Sequence, residues 1–180
     1  MWAGAPISVW ARPDKGGGTV LGSLGAFLVI ESREHAEARG RKPYAKLGGV
    51  LSNQSRRRPG EAAANAARQF GEITAGSDNP VPVLSGATGL AQATTEEHGL
   101  LAALIEQGRV STVRGVANIL GSGIEATFPA FVGLGALALS RKGFFKPVDE
   151  TGFEQPQLDT PDRIVATTWG IWRGEGMGLI

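Results

Sequence analysis

The stretch TVLGSLGAFLVIESREHAEARG, residues 19–40, decides how the rest of the chain is read. It runs as a glycine-punctuated turn, an apolar strand over residues 26–31 and a short charged helix over residues 34–40 that stops at glycine. Glycines ahead of a strand either bring backbone close to a ligand or permit a tight bend. The series GGGTVLGSLG has GxxG spacings, but neither the Walker pattern nor a GxGxxG that opens a helix. Phosphate cradling is therefore disfavoured.

Outward from this hinge, alternation and β-branched content place further strands at residues 45–51, 81–85, 111–116 and 163–168, with a last one near 176–180. Helical patterns lie between them. PGEAAANAARQFG (residues 59–71) has proline at its first turn and a terminal glycine. TTEEHGLLAALIEQG begins with Thr94 or Thr95 as the expected cap and Glu96 and Glu97 as helix-start charges, and Leu100, Leu101, Leu104 and Ile105 form one apolar stripe. Residues 123–141 are apolar nearly all round, which predicts a helix buried on every side. Residues 1–18 read as an irregular lead-in and residues 146–162 as a long polar loop. Strands alternating with helices predict an α/β fold with a largely parallel sheet in one domain, residues 1–180, closed at one edge by an antiparallel pair.

Composition narrows function. At 180 residues, 42% hydrophobic and 19% charged, the chain suits one globular core. A net charge of +1 gives no field to steer it onto nucleic acid. Without cysteine there is no thiolate nucleophile or disulfide, and two separated histidines make no metal set, so neither metal nor cofactor is expected. PAFVGLGALALS (residues 129–140) is too short to span a membrane, and the N-terminus carries no secretory pattern, so a cytoplasmic location is the default expectation.

Chemistry-bearing residues are sparse. His35 and His98 sit among charged and small residues and read as surface histidines. Adjacent Glu96 and Glu97 point about 100° apart on a helix and cannot share one reacting bond. Arg56, Arg57 and Arg58 are the dense basic patch, either a solvated loop or a contact for an acidic partner. Trp169, Trp172 and Arg173 form an aromatic stretch better suited to packing than to base stacking.

The segments TVLGSLGAFLVIESREHAEARGRKPYAKLGGV, PVLSGATGLAQATTEEHGLLAAL, ANILGSGIEATFPAFVGLGALALSRKGFFKP and IVATTWGIWRGEG together resemble the second half of the β-ketoacyl-acyl carrier protein synthases, condensing enzymes of thiolase-like fold. The resemblance implies a half-fold built on a five-stranded sheet, with one buried apolar helix that the missing first half would otherwise cover. It also implies an acyltransferase chemistry in which a first-half cysteine is acylated and two second-half histidines assist decarboxylation of malonyl-carrier protein. Carried over by position, the histidines fall at Gly86 and Ser122, the lysine at Ala117 and an acidic residue of the opening turn at Ser23; every transferable catalytic side chain is absent. Thr88 and Ser122 remain as hydroxyls of a relic pocket.

The resemblance thus implies a catalytically degenerate subunit of fatty-acid or polyketide synthesis that completes or shapes a condensing-enzyme partner, with an acyl carrier protein meeting Arg56 to Arg58. The alternatives are a residual acyltransferase whose cysteine and histidines come from a partner chain, and a non-functional gene fragment. A self-dimer is the other way to cover the apolar helix.

Overall fold

A computed structural model describes residues 1–4, 6–56, 58–169 and 174–180. Five strands form one mixed sheet: β1 (Val50–Asn53), β2 (Val81–Ser85), β3 (Val110–Gly115), β4 (Val165–Trp169) and β5 (Glu175–Leu179), in the order β1-β5-β4-β2-β3. β4–β2 and β2–β3 pair parallel, β1–β5 and β5–β4 antiparallel. The antiparallel β4–β5 pair expected at an edge lies inside the sheet, because β1 adds outside β5. Gly48 and Gly49, just before β1, extend that last pairing: the Gly48 amide donates to the Leu179 carbonyl at 2.7 Å and the Leu179 amide to the Gly49 carbonyl at 2.9 Å.

The helices are α1 (Arg33–Ala38), α2 (Glu61–Ile73), α3 (Ala91–Glu106) and α4 (Thr127–Ser140). Strand alternation sorts the core into two layers. Val83 of β2, Val165 of β4 and Met177 of β5 face Phe70 and Ile73 of α2 and Leu101 and Leu104 of α3, joined by Val9 and Trp10 from the lead-in. Leu84, Ala166 and Ile180 face the other way, onto Phe131, Val132 and Ala138 of α4. Each fully buried Phe or Leu side chain contributes roughly 2–3 kcal/mol of transfer free energy.

Four expectations need correction. Residues 26–31 form no strand: they make no backbone–backbone hydrogen bond with the described residues, and Phe27, Val29 and Ile30 are 101%, 90% and 69% exposed. α4 is not buried on every side; Leu137 is 39% exposed, so the sheet covers one flank only. α2 runs through Gly71 to Ile73, since Phe70 and Ile73 on either side of the glycine anchor that turn to the core. α3 starts a turn before the threonines, at Ala91 after Leu90, and Thr94 caps from inside: its Oγ1 accepts the Gly89 amide at 2.9 Å.

Residues 146–162 carry no helix or strand but are tied to the β3 edge by two buried charged side chains. Glu154 Oε1 accepts from the Gly115 amide at 2.7 Å, from Trp10 Nε1 at 3.1 Å and from Asn118 Nδ2 at 3.1 Å. Arg114, also buried, donates to the carbonyls of Phe145 and Gln155 at 2.6 and 3.0 Å and lies over the Phe144 ring. Removing the shared acceptor strands three donors at once. Glu154→Ala is expected to lower stability by about 2–4 kcal/mol, read as a fall in the urea midpoint with unchanged slope; a shift under about 0.5 kcal/mol would show that the strap is not held this way.

Candidate functional site

The loop that follows β2 is where the chemistry of the resemblance would have to sit, and it is organised by a carboxyl group. Extending the Leu101 and Leu104 stripe of α3 back by one turn lands on Glu97 and then Thr94, at spacings of 3 and 4. Glu97 therefore points at the sheet, not at solvent, and is fully buried. On the facing surface, strand alternation aims Ser85 of β2 and Thr167 of β4 toward it. Ser85 Oγ and Thr167 Oγ1 both donate to Glu97 Oε1, at 2.7 and 2.6 Å. The same hydroxyls accept amide protons from the loop: Ala87 donates to Ser85 Oγ and Gly86 to Thr167 Oγ1, each at 3.1 Å.

One carboxyl oxygen thus gathers two strands and the two amides of the turn at residues 86 and 87. Glu97 Oε2 is buried with no partner. Burial raises the Glu97 pKa to about 7, against the opposing hydrogen bonds from Thr167 and Ser85. The group is poised between neutral and charged near neutrality, yet nothing reaches it from solvent. Its visible work is positional. Helix-start electrostatics, the expectation for Glu97, is overturned because helical periodicity places it on the buried stripe.

At Gly86 the space for a side chain is closed. A Cβ there would lie 2.6 Å from the Thr167 carbonyl oxygen and 2.9 Å from the Thr168 Cα, both backbone of β4. Ala117 is buried in the single 3-10 turn Val116–Asn118 after β3. Ser122 is buried as well, and its backbone is spent on the opening hinge: its amide donates to the Val20 carbonyl at 2.8 Å and its carbonyl accepts from Gly22 at 2.9 Å. The hinge glycine serves this approach, since a Cβ on Gly22 would sit 1.8 Å from the Leu120 carbonyl. Ser23, next along, is exposed.

Thr88 is buried, its Oγ1 accepting from the Leu90 amide at 3.4 Å, and no hydrogen bond joins it to Ser122. Its carbonyl accepts from the buried guanidinium of Arg12 at 3.5 Å. Arg56 and Arg58 are exposed, and Arg57 lies outside the described residues. Trp169 is buried at the end of β4, as packing requires, whereas Trp172 and Arg173 lie outside the described residues.

His35 is the surface histidine its sequence predicts, paired with Glu31 at 3.4 Å on α1. His98 departs from that expectation. Its ring lies 4.0 Å from the Phe153 centroid and 5.8 Å from Trp10, in the wall of an open cleft of about 470 Å³ that Pro13, Asp14, Thr94 and Thr151 also line. Burial lowers its pKa, opposed by Asp149 and Asp14, which favours the neutral imidazole. The cause is the strap after α4, which folds Phe153 over the helix; nothing local to EEHGL signals it. Among the described residues no three metal-ligating side chains cluster, and no helix is long and apolar enough to cross a membrane.

No protein-family model and no curated protein matches the chain. Solved structures do. The ishigamide ketosynthase/chain length factor superposes with a TM-score of 0.69 at 16% identity, over 90% of this chain and 44% of that one. A type II polyketide acyl-carrier protein in complex with its ketosynthase gives 0.64 at 15%, over 83% and 41%. The ketosynthase from module 1 of the bacillaene synthase of Bacillus amyloliquefaciens gives 0.59 at 13%, over 81% and 31%. The chain thus spans less than half the length of each of these proteins, and its fold is a partial ketosynthase fold of the kind that the resemblance predicts.

Glu97 yields a sign-definite pH effect. Its pKa rises from an ordinary 4.5 to about 7 on folding, so between those values the folded chain holds a proton that the unfolded chain has released. Its contribution to stability is full below about pH 4.5, falls as pH rises through about 7 and is flat above, a loss of about 3 kcal/mol. Glu97→Gln is expected to remove that slope from the difference between the two proteins' stability–pH curves, measured by urea denaturation from pH 4 to 8. Parallel curves would mean that Glu97 titrates normally.

Proposed function

We propose that the chain is a catalytically degenerate ketosynthase-like subunit in polyketide or fatty-acid synthesis, whose 180 residues take the place of a condensing enzyme's second half and complete or shape a partner. The observation that carries this reading is Gly86. In a ketosynthase fold, the position that the resemblance gives to a histidine is occupied here by a residue with no side chain, packed against the β4 backbone. Ala117 and Ser122 supply neither amine nor imidazole at the other two positions, and His98 is engaged with Phe153. The chain therefore keeps the scaffold and carries no general base where decarboxylation would need one.

Exposure supports a partner: the Leu137 flank of α4 lies open to solvent. An apolar helix face of this kind marks an interface. The solved neighbours include a ketosynthase/chain length factor and a ketosynthase bound to its acyl-carrier protein, which supports a condensing-enzyme partner and, at exposed Arg56 and Arg58, an acidic carrier protein.

Two experiments test this. Co-expression with condensing-enzyme subunits encoded beside the chain should give a complex on affinity capture, weakened at least tenfold by Leu137→Lys; failure to bind any such subunit sinks the proposal. In the complex, Thr88→Ala and Ser122→Ala should leave malonyl-carrier decarboxylation and condensation within about twofold, whereas a loss of tenfold or more would favour the residual acyltransferase.

A further inference from the structure

The cleft beside α3 has walls of one electrostatic kind. Trp10, His98 and Phe153 form its aromatic side: the Trp10 ring meets His98 at 59° and Phe153 at 68°, an angled corner in place of a flat stack. Asp14, Thr94 and Thr151 add a carboxylate and hydroxyls, and no lysine or arginine contributes to the lining. Lys15 stays outside it, and the neighbouring Arg12 donates to the carbonyls of Ile7 and Thr88. Asp14 is exposed and makes no ion pair among the described residues, so its charge is unmatched. The His98 imidazole has ring contacts but no hydrogen bond among the same residues. Burial lowers the His98 pKa while Asp149 and Asp14 oppose it, so the side-chain charges acting on this wall are negative.

Aromatic rings and an unmatched carboxylate favour the same class of ligand. We propose that this cleft binds a small alkylammonium compound, its cationic head held between Asp14 and the ring corner of Trp10, His98 and Phe153. Aromatic rings attract a cation within about 6 Å of their faces through the ring quadrupole. The cleft's volume of about 470 Å³ lies within the roughly 300–1,000 Å³ of small-molecule sites. An anionic ligand would meet Asp14 with no cation in the lining to offset it, and a neutral one would gain nothing from that charge. The lining comes from the lead-in, α3 and the strap at residues 146–162, so the site exists only where Phe153 is folded over His98. It lies on the α2–α3 side of the sheet, opposite α4, and does not depend on the condensing-enzyme reading.

Choline, neutral 3,3-dimethylbutan-1-ol and anionic 3,3-dimethylbutanoate share a head of the same shape and differ in charge. Each is titrated into the 180-residue chain and followed by proton NMR of the two histidine rings. Choline is expected to shift His98 saturably, with a dissociation constant on the order of 1 mM, while His35, exposed on α1, stays unmoved as the internal reference. A bound cation disfavours the imidazolium, so saturating choline should also lower the midpoint of the His98 pH titration. The neutral and anionic compounds should bind at least roughly tenfold more weakly. Asp14→Asn, at an exposed position, should weaken choline at least roughly threefold, and Phe153→Leu at least roughly fivefold, both with an unchanged circular dichroism spectrum. A response that never saturates, equal affinity for the neutral alcohol, or choline binding indifferent to Asp14→Asn overturns the proposal. Choline binding by a chain that captures no condensing-enzyme subunit would refute the functional proposal alone; capture without choline binding would refute this site alone.

Discussion

The loop after β2 depends on one buried carboxyl. Glu97 can be carried into the core only because Ser85 and Thr167 present hydroxyls from adjacent parallel strands, and those hydroxyls in turn are held by the amides of Ala87 and Gly86. The network ties α3, β2, β4 and the turn into one unit. Its cost is desolvation, seen in the raised pKa and in the orphaned Oε2. Burying a carboxyl is expensive unless it is neutral or well bonded, and this one is partly both.

The same economy of backbone governs the second loop. Ser122 and the opening hinge exchange two amide–carbonyl bonds, and glycine at 22 is what lets the chains approach. At both loops the positions that the resemblance assigns to reactive side chains, Gly86 and Ser122, lie in close backbone contact with a neighbouring segment. What stays open, the Leu137 flank of α4 and the run at residues 27–30, is apolar and lies outside the sheet.

Much of the architecture was legible in the residues. Period-two runs at 81–85, 111–116 and 163–168 became β2, β3 and β4 within two residues at each end, and the Leu101 and Leu104 stripe predicted the buried face of α3. Glu97 was legible in principle, because the stripe continues to it, but a charged residue near a helix start has a simpler surface explanation. His98 was not legible: its neighbours Trp10 and Phe153 are 88 and 55 positions away in sequence.

By itself the sequence determined the α/β class, the lack of a nucleophilic thiol and the order of strands and apolar helix, because periodicity and residue chemistry are local properties; the likeness to ketosynthases came from the resemblance of whole segments. Only the tertiary structure decided that Gly86 is sealed, that Glu97 is inside and that residues 26–31 lie unpaired. Each of those depends on which distant backbone arrives alongside. An apolar run becomes a strand only when another strand presents its edge, and among the described residues none pairs with it.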